Sequence, residues 1–146
     1  MKKGEIAKDL FSTGINCSQA VVLAFKEEMG LSEEQVKKLS IGYGGGFGRQ
    51  RLVCGAVCGM TMVLSYLLSD GDDKLSIYSV IQEASAIVKA ELGSLICGEL
   101  LEGKVKVETS PKPDERTAEY YKKRPCAEIV EFVANVTEDV ITKYKK

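Results

Sequence analysis

The sequence predicts an all-α fold, a single-domain bundle of five or six helices with a glycine-rich loop ahead of a buried central helix. Three observations carry this reading. Apolar residues recur at three- and four-residue spacing along nearly the whole chain. Residues that favour helix starts precede those runs, and glycines close them. The 146 residues suit one domain, residues 1–146, that buries roughly two-thirds of the surface it exposes when unfolded.

Taken in order, a first helix is expected from Lys3 to Ser12, stopping before Gly14. Asn16 is the expected N-cap of a second, "CSQAVVLAFKEEMG", which ends at Gly30. Ser32 followed by Glu33, Glu34 and Gln35 reads as a capping-box start for a third. That helix dissolves in "IGYGGGFGRQR", where clustered glycines predict irregular backbone. The fourth helix, Val53 to about Leu68, is apolar on almost every face and reads as the buried central element. After a turn at Asp70 to Asp72, Ile77, Ile81, Ala84, Val88 and Leu92 form a helical stripe. "KVKVETSPKPDER" reads as a loop, with a short β pair expected around Lys104 to Glu108. The last helix, "CAEIVEFVANVTEDVITKYKK", puts Ile129, Phe132, Val133, Val136 and Val140 on one stripe. Pro125 falls where a first-turn proline is tolerated, and the terminal lysines suit the helix dipole.

Charge and composition narrow the function classes. With 20 basic and 21 acidic side chains, there is no electrostatic case for nucleic acid or an acidic membrane surface. The N-terminal residues lack the apolar run of a secretory signal, and no stretch nears the ~20 apolar residues of a membrane span. A soluble, cytoplasmic protein is expected. The chain has no histidine, which removes the usual general base, metal ligand and haem ligand. A ferritin-like carboxylate site fails on the same ground. The pairs Glu27/Glu28 and Glu33/Glu34 read as solvated helix faces.

Five cysteines remain. Cys17 and Cys126 fall in the first turns of their helices, Cys54 opens the buried helix, and Cys97 sits just past a helix end at Gly93. At a helix start the free backbone N–H groups and the dipole favour a thiolate. If those helix ends meet at one pole of the bundle, four thiolates would suit an iron–sulfur cluster or zinc. No local CxxC pair exists, so tertiary structure must assemble such a site; taken singly, each cysteine also fits as a small core residue. Cys54 and Cys58 stand four apart, with Cβ atoms about 5–6 Å apart on a regular helix. That exceeds the ~3.5–4.5 Å a disulfide needs, so Cys54 is read as the ligand or redox thiol and Cys58 as core.

"NCSQAV", "CGAVCG", "ICGEL" and "RPCAEIV" occur in that order, the second behind the glycine loop. The pattern resembles the C_GCAxxG_C_C family of redox-active proteins over essentially the whole chain. The resemblance implies a redox function carried by Cys17, Cys54, Cys97 and Cys126, with Gly55, Ala56 and Gly59 as the small residues beside a cofactor. A related domain in the split-Soret cytochromes points to an iron–sulfur cluster as that cofactor. The sequence departs in one place, where Cys58 occupies a variable motif position, and without a CxxCH site the resemblance implies no haem.

Three functions follow as expectations. The first is a cluster-binding electron-transfer protein with an oxidoreductase partner. The second is a cofactor-free thiol–disulfide protein, and the third an interaction module with structural zinc. The apolar fourth helix leaves room for a homodimer. "GYGGGFGRQR" matches neither phosphate-loop pattern. Arg49 and Arg51 are expected as solvated loop charges, or else as partners of the thiols. Tyr120 and Tyr121 are expected to pack, or else to cover the entrance of a site.

Overall fold

A computed structural model describes residues 2–145 and places helix α6, Gly55–Leu68, at the centre of the molecule. Around it lie α2 (Cys17–Leu23), α7 (Lys74–Leu92) and α10 (Cys126–Tyr144); α1 (Lys3–Phe11) packs on α10, and α4 (Glu33–Ser40) on α2. Short helical turns complete the chain: α3 (Lys26–Met29), α5 (Gly44–Phe47), α8 (Cys97–Leu101) and α9 (Ala118–Lys123). The all-α bundle is as expected. Among the described residues, no helix is long and apolar enough to cross a membrane.

The helix starts follow the local chemistry. Asn16 caps α2 and Ser32 caps α4, each in a reciprocal capping box with the glutamine three residues on, Gln19 and Gln35. The carboxylate of Asp73 accepts from the Ser76 N–H to start α7. Val57, Met60, Val63 and Leu64 of α6 are buried against Val21 and Val22 of α2 and Val130 and Val133 of α10. Of the predicted stripe on α7, Ala84 and Val88 are buried in this core together with Val80, and Ile77, Ile81 and Leu92 pack partly buried against it. Burying a branched or long apolar side chain of this kind contributes about 1.5–3 kcal/mol each. The outer end of α6 is not buried all round, since Tyr66 is exposed.

Four boundaries differ from the sequence reading. The second helix breaks after Leu23, where Phe25 leaves helical geometry at φ −111°, ψ 11° to turn the chain into α3. The central helix begins at Gly55, with Cys54 as its N-cap at φ −53°, ψ 132°. Pro125 is likewise the N-cap of α10, and Cys126 its first residue. The β pair expected around Lys104 to Glu108 is absent, because that segment has no strand beside it; the Glu108 carbonyl accepts from Arg51 Nε instead. The bridge that does form joins Val53 to Ile96 in antiparallel sense.

Gly59 sets the spacing between α6 and α2. A Cβ there would stand 2.9 Å from the Ser18 carbonyl oxygen and 3.1 Å from Val21 Cβ. Gly59→Ala is therefore expected to lower stability by about 1–3 kcal/mol in urea unfolding. At Gly42 a Cβ would meet nothing within 4 Å, so Gly42→Ala is expected to stay within about 0.5 kcal/mol of the parent.

Candidate functional site

All four cysteines singled out in the sequence stand at helix starts, and all four line one cavity of about 590 Å³. Cys17 is the first residue of α2 and Cys54 the N-cap of α6. Cys97 and Cys126 are the first residues of α8 and α10. Three different local devices bring them together.

The first is the short bridge. Cys54 N–H donates to the Leu95 carbonyl at 2.8 Å, Cys97 N–H to Leu52 at 2.6 Å, and Gly98 N–H to Arg51 at 3.1 Å. These bonds lock the start of α6 beside the start of α8. The second is the glycine crossing. Gly45 and Gly46 lie in the left-handed region at φ 67° and 71°, where glycine alone carries no Cβ penalty. A Cβ at Gly46 would stand 2.6 Å from Cys97 Cβ, and one at Gly55 would stand 2.5 Å from Cys17 Sγ. The third is the Asn16 cap, whose side chain also donates from Nδ2 to the Ile41 carbonyl at 2.9 Å and so ties Cys17 to the glycine segment.

The charged walls are arginines. Of the 20 basic side chains in the protein only Arg49, Arg51, Arg116 and Arg124 are arginine, and all four line the cavity. Arg49 and Arg51 are not solvated: Arg51 is buried, and the Arg49 side chain is 13% exposed. Both hold left-handed backbone, φ 64° and 62°, which is strained for a residue with a Cβ. Their side chains supply the compensation. Arg49 Nη1 donates to the carbonyls of Ser110 and Lys112, and Arg51 Nε to that of Glu108 at 2.8 Å. Together they strap the irregular segment 102–117 across the cavity. Arg51 Nη1 also reaches Cys97 Sγ at 3.7 Å.

Within that strap, Asp114 Oδ2 accepts from Arg49 Nη2 at 3.0 Å and from Arg124 Nη2 at 2.6 Å. Arg116 donates to the carbonyls of Phe11 at 3.0 Å and Ile15 at 3.2 Å. Its guanidinium stacks 4.5 Å from the Phe11 ring centre and 4.9 Å from that of Tyr120. Tyr120 lines the cavity, while Tyr121 packs edge-on against Phe11 and donates to the carbonyls of Phe11 and Ser12.

Burial decides the state of the thiols. It pushes Cys17 up, Cys54 well up, and Cys126 up to about 12. The Gly45 N–H at Cys17, the first-turn N–H groups of Val57 and Ala56 at Cys54, and Arg124 at Cys126 pull the other way and lose. The helix starts do favour the thiolates, as expected, but removal from water outweighs them. Each of these thiols also feels others of the set: Cys97 acts on Cys17, Cys17 and Cys126 on Cys54, and Cys17 and Cys97 on Cys126. All five cysteines are free thiols. Among the described residues, no three cysteine, aspartate or glutamate side chains are gathered closely enough to hold a single metal ion.

The remaining motif residues divide. Gly55 lines the cavity, Ala56 is wholly buried in the core, and Gly59 faces α2. Cys58 lies a turn beyond Cys54, half-buried, with its thiol directed at the Val53 carbonyl 3.9 Å away. It does not line the cavity. Arg116, Arg124 and Asp114 were not anticipated from the sequence; the scarcity of arginine against lysine was the available signal.

The profile of the family described as "Putative redox-active protein (C_GCAxxG_C_C)" matches residues 15–140, and the chain belongs to that family. The description writes the central motif GCAxxG; here the stretch reads Cys54-Gly55-Ala56-Val57-Cys58-Gly59, with the first cysteine and glycine exchanged. No curated protein and no solved structure gives a significant match.

The raised thiols make stability depend on pH. In the unfolded chain a thiol loses its proton near pH ~8.5, while in the fold Cys17, Cys54 and Cys126 keep theirs to higher pH. The stabilisation is complete below that pH and is lost as pH rises toward the folded values. In the metal-free protein the unfolding free energy is expected to fall between about pH 8 and 10, by up to roughly 1.4 kcal/mol per pH unit for each thiol. Urea titrations should show a shallower fall for Cys126→Ala; identical slopes would contradict the assignment.

Proposed function

We propose that this member of a redox-active family binds an iron–sulfur cluster through Cys17, Cys54, Cys97 and Cys126 and exchanges electrons with a partner oxidoreductase. The observation that carries this is the convergence of four free thiols, from four separate helix starts, on one cavity shared with every arginine of the chain. Four thiols are the ligand number such clusters take.

Four thiols could also hold a structural zinc ion. Zinc has no redox chemistry of its own, so membership of a redox-active family favours the cluster. When bound, it would supply reversible one-electron transfer.

The chain's own groups would set the conditions for that chemistry. Backbone N–H groups of Gly45, Ala56 and Val57 face the sulfurs of Cys17 and Cys54. Arg51 beside Cys97 and Arg124 near Cys126 would offset negative charge at the thiolates. Arg116, stacked between Phe11 and Tyr120, forms part of the wall on the α1 side. Because the buried thiols hold their protons, loading would release protons and strengthen as pH rises.

A cofactor-free thiol relay is the second reading, and the contact between Arg51 and Cys97 is the observation that favours it. Against it stands the burial that keeps Cys17, Cys54 and Cys126 protonated, since the thiolate is the attacking species.

Purification without oxygen, followed by iron and sulfide analysis and a visible spectrum, separates the readings. Iron and sulfide in similar amounts, with a visible band bleached by reductant, are expected. Serine at position 17, 54, 97 or 126 should remove the band, and Cys58→Ser should keep it. Protein free of iron and sulfide that loses thiols on mild oxidation would move the function to the relay.

A further inference from the structure

The cavity wall carries more cationic than anionic side chains. Four guanidinium groups line it against one carboxylate, Asp114. The Arg49 and Arg124 side chains are only 13% and 10% exposed, yet they share a single Asp114 oxygen whose side chain is 34% exposed. Two nearly buried cations on one carboxylate leave an unbalanced positive charge in a low-dielectric wall. Arg124 donates to no other partner among the described residues, and it lines the cavity. Tyr120 fixes that guanidinium by stacking, 4.7 Å from the ring centre to the central carbon.

Asp114 itself belongs to the strap, which has no regular secondary structure between α8 and α9. Its carboxylate is a tethered oxyanion resting on an arginine pair. A free oxyanion offers the same oxygens with more charge and no tether. The cavity volume, about 590 Å³, lies within the range that small-molecule sites occupy.

The geometry points to a second role for this cavity: a binding site for a small oxyanion, held by Arg49 and Arg124 beside the thiols, with Asp114 occupying the arginine pair when no ligand is bound. The shared chemistry is a multi-oxygen anion, inorganic or carboxylate. The inference rests on the arginine pair and stands whether the thiols carry a cluster or remain free.

The protein has four arginines, so its Nε–Hε correlation spectrum holds four signals, one for each wall position. Sodium sulfate and sodium malonate are titrated separately into protein purified without oxygen, with sodium chloride at equal ionic strength as the reference. The Arg49 and Arg124 signals are expected to shift saturably with one common constant for at least one of the two anions, and the tighter one identifies the source. Arg116, which pairs with the Phe11 and Ile15 carbonyls and not with Asp114, should shift far less. Arg124→Gln should weaken binding by about tenfold or more, and Arg124→Lys, which keeps the charge but not the fork, by less. Asp114→Asn removes the competing charge and should tighten binding by about threefold or more.

Shifts that stay linear, that chloride reproduces, or that Asp114→Asn weakens would overturn the assignment. Should Arg124→Gln fail to fold, Arg124→Lys and Asp114→Asn decide. Iron and sulfide measured on the same sample keep the two conclusions apart. Saturable binding without iron would sink the cluster alone, and iron without saturable binding would sink the anion site alone.

Discussion

The close passage of backbone through the glycine segment is the constraint on which the site depends. Residues 44–55 run between Cys17 on one side and Cys97 on the other, at distances that admit no side chain at Gly46 or Gly55. The turn that makes this passage requires left-handed backbone at Gly45 and Gly46. Once through it, the chain forms the bridge at Val53 and Ile96 and enters α6 with Cys54 as its cap. Three of the four cavity thiols are thus placed by one crossing. The fourth, Cys126, arrives on the start of α10, whose apolar stripe packs it against α6 and α1.

Strain and charge are coupled around that crossing. Phe47, Arg49 and Arg51 all carry positive φ without being glycine, conformations that cost of order 1–3 kcal/mol each. The two arginines among them anchor the strap through backbone carbonyls, and such charge-assisted bonds are roughly twice as strong as neutral ones. A lysine could not span two carbonyls and a carboxylate from one planar group, as Arg49 does. Among the described residues, no lysine stands on the cavity wall. Roof and floor of the cavity depend on each other.

Much of this was legible in the sequence, for identifiable reasons. Asn16 with Gln19 and Ser32 with Gln35 are local signals, read out by the same hydrogen bonds in the structure. The stripes on α7 and α10 follow from helical period alone. Three of the four helix-start cysteines, Cys17, Cys54 and Cys126, were readable because caps and glycines mark those starts. Cys97 was placed after a helix end, and it proves to open α8, a five-residue turn too short to leave a periodic trace. The long-range pieces were not legible. The alternation in "KVKVE" suggested a strand, but a strand needs a neighbour, and the strap's partners are arginine side chains. The roles of Arg116 and Arg124 depend on α9 folding back over Phe11, which no local pattern encodes. The helix-start argument for acidic thiols was sound in direction, yet burial, a tertiary quantity, overrode it.

The same burial separates the two redox readings. A relay needs a thiolate at working pH and access for a partner's sulfur. A ligand set needs convergence and a dry, charge-balanced shell, with the proton lost only as metal arrives. Burial keeps Cys17, Cys54 and Cys126 protonated, which counts against the first description and is compatible with the second.

A crystal structure of protein grown and frozen without oxygen, with anomalous scattering recorded at the iron edge, tests the account most directly. It predicts iron inside the cavity bonded to the sulfurs of Cys17, Cys54, Cys97 and Cys126, with Cys58 outside. An empty cavity in crystals of protein shown to contain iron, or iron bound through Cys58 or at the surface, would contradict it.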